Sequence, residues 1–211
     1  DNMINPRGIL YPAMHKFYSA LSSLEKFEKG TNFFDNISYL DNFFSEYRNI
    51  TFVLQKSLSK TLFMPTYENL RDKHLVNNVG KWFVDKRNEV LKQQPFNLEK
   101  RIVISIYSSE TLLLPELVFT IDNDVETSTI VESLRARFMS FGQLEVMFSV
   151  EFLFNEYGHN EDLFDNLILG INQMKLFLAD MKKAINEDCK LSNELERKII
   201  KMNFYQVPKE M

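Results

Sequence analysis

Along much of the chain, apolar residues recur at steps of three and four, the spacing that gathers side chains on one face of an α-helix. Pro12 to Lys29 carries Met14, Phe17, Leu21 and Leu24 in this way, and Gly30 is placed to stop the helix as a left-handed cap. Asn32 to about Lys60 holds Ile37, Leu40, Phe44, Tyr47, Thr51, Leu54 and Leu58, the seam of a helix packed along its full length. Met64-Pro65-Thr66 interrupts the pattern, with Pro65 closing one element and Thr66 capping a short helix that bears Tyr67, Leu70 and Leu75. Asn77, Asn78 and Gly80 predict a kink before a further helix from Trp82 to Gln94, which Pro95 closes.

From Arg101 the pattern changes. Arg101 to Tyr107 is β-branched and too short for a helix, and Glu116 to Ile121 repeats the theme, so a strand pair is expected there, ended by Asp122-Asn123-Asp124. Helix is expected again from Ser128 through Leu134, Phe138 and Phe141, and past Gly142 through the Val146 to Phe154 cluster. Tyr157 to Asn160 reads as a turn whose Asn160 caps a long helix bearing Leu163, Leu167, Ile171, Met174, Leu178, Met181 and Ile185. A last helix runs from Ser192 to about Asn203. The expected fold is mainly α: a helical bundle with a small β-hairpin insertion and further C-terminal helices. Residues 1–98 form the bundle, and residues 99–211 add the hairpin and the later helices, packed with it as one compact unit.

Composition supports this picture. Six glycines and six prolines in 211 residues leave little material for the tight turns of a sandwich or barrel. One cysteine, Cys189, excludes an intrachain disulfide and a cysteine-ligated zinc site, and points to a reducing, cytoplasmic home. The densest apolar run, Phe138 to Phe154, is interrupted by Glu145 and Glu151, so no membrane span or signal peptide is expected. The formal net charge of −4 conceals an asymmetry: residues 1–100 carry 14 Lys+Arg against 11 Asp+Glu, and the remainder is acidic. Any polyanion contact therefore belongs to the first half.

Most catalytic patterns are missing or misplaced. The glycines are too dispersed for a phosphate-cradling loop, so no nucleotide cofactor is expected. Ser57 to Lys60 matches Ser-x-x-Lys but lacks its companion motifs. Glu156 and His159 have the Glu-x-x-His spacing of di-iron bundles without the second copy such sites need. Asp122, Asp124 and Glu126 read as helix-capping carboxylates, and His15 and His74 lack partner ligands at metal-binding spacing. No metal and no cofactor are expected. A small-ligand site between the bundle and the β insertion, lined by the aromatics near Phe138 to Phe154, is one further expectation.

One constellation stands out. On a helical wheel starting at Trp82, Phe83 falls at about 100°, Val90 at about 80°, Gln94 at about 120° and Arg87 at about 140°, so a guanidinium lies inside an apolar arc. A charge so placed needs an acceptor, because an unpaired buried charge costs several kcal/mol. Phe83, Arg87, Val90 and Gln94 are therefore the candidate interface.

The stretch Tyr39 to Gln55 (YLDNFFSEYRNITFVLQ), followed by Arg87-Asn88 on a Trp-bearing helix and then Pro95, resembles the HEPN-type helical domains of prokaryotic proteins over roughly residues 12–96. Active members of that superfamily are metal-independent ribonucleases of toxin and anti-phage systems, whose Arg-(four to six residues)-His motif pairs across a homodimer. Here Lys92, Gln93 and Gln94 stand where the histidine belongs, and none is an acid/base near neutral pH. The resemblance thus implies a non-catalytic, dimeric interaction or regulatory module. It also allows a protein partner and weak RNA contact through residues 71–100, which hold seven basic against four acidic side chains. The rival is a ribonuclease using Arg87 and Asn88 with a base borrowed from elsewhere, such as His74.

Overall fold

The computed structural model describes residues 7–29, 33–91, 98–112, 116–121, 125, 127–138, 142, 144–156, 159–202 and 204. The chain is mainly helical with a small antiparallel sheet, and it divides into two compact units.

The helical unit gathers residues 1–29, 37–95 and 166–204. It is built on α1 (Tyr11–Lys29), α2 (Phe33–Leu58), α3 (Met64–His74), α4 (Asn78–Leu91), α6 (Leu163–Ile185) and α7 (Lys190–Lys201). By contact, α6 and α7 group with α1–α4, although the 70 residues 96–165 of the sheet unit intervene between the two segments of the helical unit. The apolar seams lie where the three- and four-residue spacing puts them. Phe17, Leu21 and Leu24 of α1, Leu40, Phe44 and Leu54 of α2, and Leu167, Ile171 and Met181 of α6 are all buried.

Local signals differ from expectation at two junctions. Pro65 does not end an element; it sits in the first turn of α3, where its missing N–H has no intrahelical partner to lose, and Tyr67 N–H donates to Phe63 C=O at 2.9 Å. Thr66 is consequently inside the helix and does not cap it. The kink around Asn77 is a full break between α3 and α4. Asn77 is the cap of α4: its Oδ1 accepts from Gly80 N–H at 2.9 Å, while its Nδ2 donates to His74 C=O at 3.0 Å and to Gln173 Oε1 at 3.2 Å. A Cβ at Gly80 would lie 1.9 Å from Leu75 C=O, so only glycine permits this tight re-entry.

At its far end α6 closes in a Schellman motif. Asn186 takes the left-handed conformation (φ 56°), Asn186 N–H donates to Lys183 C=O and Glu187 N–H to Lys182 C=O, each at 3.2 Å. That turn aims the Glu187 carboxylate at the first amides of α1, where Ile9 N–H and Leu10 N–H donate to it. An anion there satisfies orphan donors and meets the positive end of the helix dipole.

The sheet unit gathers residues 30–36, 96–165 and 205–211. It contains β1 (Leu98–Ser108), β2 (Thr111–Leu112), β3 (Leu117–Ile121), α5 (Thr127–Phe138), β4 (Glu145–Glu156) and β5 (His159–Asp162). β1 is central: β2 and β3 pair with it antiparallel on one side, β4 on the other, and β5 pairs with β4. The expected strands at 101–107 and 116–121 are present. Ser109 and Glu110 join β1 to β2 with φ of 48° and 67°, the paired positive angles of a two-residue hairpin turn. Ile102, Ile104 and Ile106 of β1 pack with Phe148 and with Val131 of α5, forming a separate small core.

Two expectations are overturned here. Val146 to Phe154 is not helix but strand, in register with β1 from Tyr107 opposite Glu145 to Leu98 opposite Phe154. Apolar residues at every even position from Val146 to Phe154 give it the period of a sheet, and the partner β1 stabilises that choice. His159 and Asn160 likewise belong to β5 and neither cap α6 nor form a bare turn. Gly30, Asp122 to Asp124, Gln94 and Pro95 lie outside the described residues.

Candidate functional site

The candidate site is a cavity of about 290 Å³ lying wholly within the helical unit. α2 contributes Tyr47, Arg48 and Thr51; α3 and the turn after it give Arg71, Leu75, Val76 and Asn77; α4 gives Gly80, Lys81, Phe83 and Val84; α6 gives Gln173 and Met174.

Its floor is aromatic and fixed. Tyr47 and Phe83 stack with ring centroids 4.2 Å apart and planes 20° from parallel. Tyr47 Oη donates to Gly170 C=O of α6 at 2.8 Å, so the buried hydroxyl is satisfied, and burial pushes this phenol well above its ordinary pKa. Phe83 lies against α6 at Gly170, where an added Cβ would fall 2.0 Å from Phe83 Cε2. Helix spacing puts Tyr47 and Phe83 on the inward arcs of α2 and α4; the missing side chain of Gly170 lets the rings close on the third helix.

The walls carry Arg48, Arg71 and Lys81 and no carboxylate. Arg71 is already engaged, by a salt bridge to Asp72 at 3.1 Å and by its position 5.6 Å from the Tyr67 ring centroid. Arg48 is different. Its guanidinium sits 4.5 Å from the Phe52 ring centroid and, among the described residues, has no carboxylate partner. Burial, then the nearby positive charge of Arg87, disfavour its charged form and lower its pKa. Lys81 is exposed at the rim and also has no ion pair among the described residues.

Of the residues singled out from the sequence, Phe83 is in the cavity floor and only 5 % exposed, so it is spent on the core of its own chain. Arg87 is half-buried, close enough to Arg48 for their charges to oppose, and Asn88 is exposed on the same helix. The deeply buried cation of α4 is its neighbour Lys86, 2 % exposed, with Nζ 6.0 Å from the Trp82 ring centroid. Val90 lies in α4, and Gln94 lies outside the described residues.

His74 is not drawn into the cavity lining. Its Nε2 hydrogen-bonds to Asp180 Oδ2 at 2.7 Å and its ring meets Phe177 edge-on; that bond, with Lys73 and Lys183 nearby, holds the Asp180 carboxyl below its usual range. Cys189 caps α7, and burial with Glu187 and Asp188 raises its thiol pKa, the opposite of an activated nucleophile. Ser57 Oγ donates to Val53 C=O at 2.9 Å within α2. Glu156 and His159 are register partners in β4 and β5 and do not share a helix, and the described residues hold no group of three or more His, Cys, Asp or Glu that fits a metal. No described helix is long and apolar enough to cross a membrane.

Arg48, Arg71 and Gln173 were not marked by the sequence. Arg48 carries a faint signal, a cation on the flank of the Phe44, Tyr47, Thr51 seam; Gln173 reaches the site only because α6 packs beside α2 and α4. Comparison with known proteins finds no matching family model, no matching curated protein and no matching solved structure.

Proposed function

We propose that this chain is a non-catalytic, HEPN-like interaction module that works as a homodimer and contacts an anionic partner through the cation-bearing side of α2 and α4. The observation that carries the reading is the pair Arg48 and Arg87. Two half-buried guanidinium groups whose charges oppose, with no carboxylate on Arg48 among the described residues, leave this side of α2 and α4 locally short of negative charge. A carboxylate from a second copy, or a phosphate of RNA, supplies it. Weak RNA contact through the first half belongs to the same reading.

Chemistry on RNA needs a proton acceptor as well as a cation. No histidine lines the cavity, and His74, the base that a ribonuclease here would borrow, is held by Asp180. The Arg87-Asn88 pair therefore fits binding better than cleavage.

The test has two parts. Light scattering at micromolar concentration is expected to give the mass of a dimer, and a strict monomer removes the two-fold contact. Incubation of single-stranded RNA with wild type and Arg87→Ala is expected to give equal, background-level cleavage; loss of a real activity in Arg87→Ala establishes the ribonuclease instead.

A further inference from the structure

We infer that the cavity between α2, α4 and α6 is a binding site for a small organic anion, with an apolar body seated on Tyr47 and Phe83 and one carboxylate or phosphate head held by Arg48. This goes beyond the interaction-module reading and does not depend on dimerisation or on RNA.

Size sets the first limit. A volume of about 290 Å³ is at the lower end of the range of small-molecule pockets, roughly 300–1,000 Å³. It is the room of about ten water molecules at roughly 30 Å³ each, enough for one ring or a short chain with its head group.

Charge sets the second. The lining offers three cations and no acid, and one of them, Arg71, is already bound to Asp72. Arg48 and, at the rim, Lys81 are left to a ligand, and the planar fork of Arg48 matches both carboxylate and phosphate. The first turn of α4 adds to it: Asn77, Gly80 and Lys81 put the positive end of a 14-residue helix at the cavity wall. A neutral ligand would leave the half-buried Arg48 beside Arg87 without a carboxylate partner among the described residues.

The third limit is preorganisation. The floor is locked by the Tyr47 to Gly170 hydrogen bond and the tight seat of Phe83 on α6, and the rim polar groups Asn77 and Gln173 are already bonded to each other. A ligand entering such a site orders little of the protein, so its affinity comes from burying its body and pairing its head. A bare anion gains only the second of these.

The experiment uses the intact chain with phenylacetate, phenyl phosphate, 2-phenylethanol and inorganic phosphate, followed by calorimetry and by the emission of Trp82. This single tryptophan has its ring centroid 5.1 Å from that of Phe83, so a ligand on the floor changes its surroundings. Both aromatic anions are expected to bind saturably, with the neutral alcohol and inorganic phosphate at least about tenfold weaker. Tighter phenyl phosphate identifies a phosphate head, tighter phenylacetate a carboxylate head.

Arg48→Gln is expected to weaken both anions at least about tenfold while leaving the alcohol unchanged. Lys81→Glu, at an exposed rim position, is expected to weaken the anions in the same sense and serves should the first variant fold poorly. Equal binding of charged and neutral probes, affinities unmoved in Lys81→Glu and Arg48→Gln, or no saturation by millimolar concentration overturns the inference. Both readings start from the half-buried Arg48, but the oligomeric state and RNA cleavage are read separately: failure here removes the small-anion site without deciding dimerisation, and a monomer removes the dimer without deciding the small-anion site.

Discussion

Replacing Gly170 by alanine tests the packing that makes the cavity floor, because two effects of opposite sign compete there. In an ordinary mid-helix position, glycine to alanine stabilises by about 1 kcal/mol through helix propensity. Here the new Cβ would stand 2.0 Å from Cε2, 2.5 Å from Cζ and 3.0 Å from Cδ2 of Phe83, against an optimal carbon separation of about 3.5–4.0 Å. The ring must move by more than about 1 Å, and it cannot do so without disturbing the stacked Tyr47 ring, 4.2 Å away, whose hydroxyl is bonded to Gly170 itself. Overpacking of this kind costs about 1–3 kcal/mol, and a weakened buried hydrogen bond adds about 1. The net loss is then about 1–3 kcal/mol, and at about 2–4 °C per kcal/mol for a chain of this size the Tm falls by roughly 2–12 °C.

The assay is thermal and urea unfolding by circular dichroism for Gly170→Ala, Phe83→Leu and the double variant. Since leucine removes the ring atoms that the methyl group meets, the double variant should lose less than the sum of the singles, by about 1 kcal/mol. A rise in Tm for Gly170→Ala, or strict additivity, refutes the reasoning, because either result means that the methyl group finds room and the ring does not lie against α6.

Three further outcomes follow from the same structure. Glu187→Gln removes the charge that meets Ile9 N–H and Leu10 N–H at the start of α1 and should cost about 1 kcal/mol in urea unfolding, less at high salt. Asp180 has a depressed carboxyl pKa, so its contribution is complete above the unfolded value of about 3.9 and is lost as pH falls through the lower folded value. Asp180→Asn should therefore be less stable than wild type at pH 7 and indistinguishable from it in acid below that range; in His74→Ala, the Asp180 carboxyl carbon should titrate at higher pH by NMR. Ser109 and Glu110 both hold positive φ, so exchanging them for Asn-Gly should raise the stability of the sheet unit by up to about 1 kcal/mol, read as slower amide exchange in β1 and β2.

The helices of the bundle were legible because each buries one stripe, and a stripe leaves a three- and four-residue spacing that needs no knowledge of the partner. Met14 to Leu24, Leu40 to Leu58 and Leu167 to Met181 are of this kind. β4 was misread for the opposite reason. Val146 to Phe154 is almost continuously apolar, and such a run suits a buried strand as well as a buried helix; the even-numbered alternation of Val146, Phe148, Val150, Phe152 and Phe154 was the signal that distinguished them.

The site was legible only in part. The wheel placed Phe83 and Arg87 on the inner arc of α4, but which of its cations is deeply buried depends on neighbouring helices, and it is Lys86. Arg48 stands 39 residues before Arg87 and Gln173 86 residues after it, so their convergence is a property of helix packing that no local spacing encodes.

The most direct measurement follows the guanidinium Nε–H resonance of Arg48 by nitrogen–proton NMR during titration of the intact chain with phenyl phosphate, with Arg48→Gln providing the assignment. A saturable shift of that resonance, larger than those of Arg7 or Arg137 and absent with 2-phenylethanol, is the predicted result. An Arg48 signal that stays in place while the probe saturates, or one that moves no more than those two reference arginines, contradicts the claim that this side of the bundle is built to receive an anion.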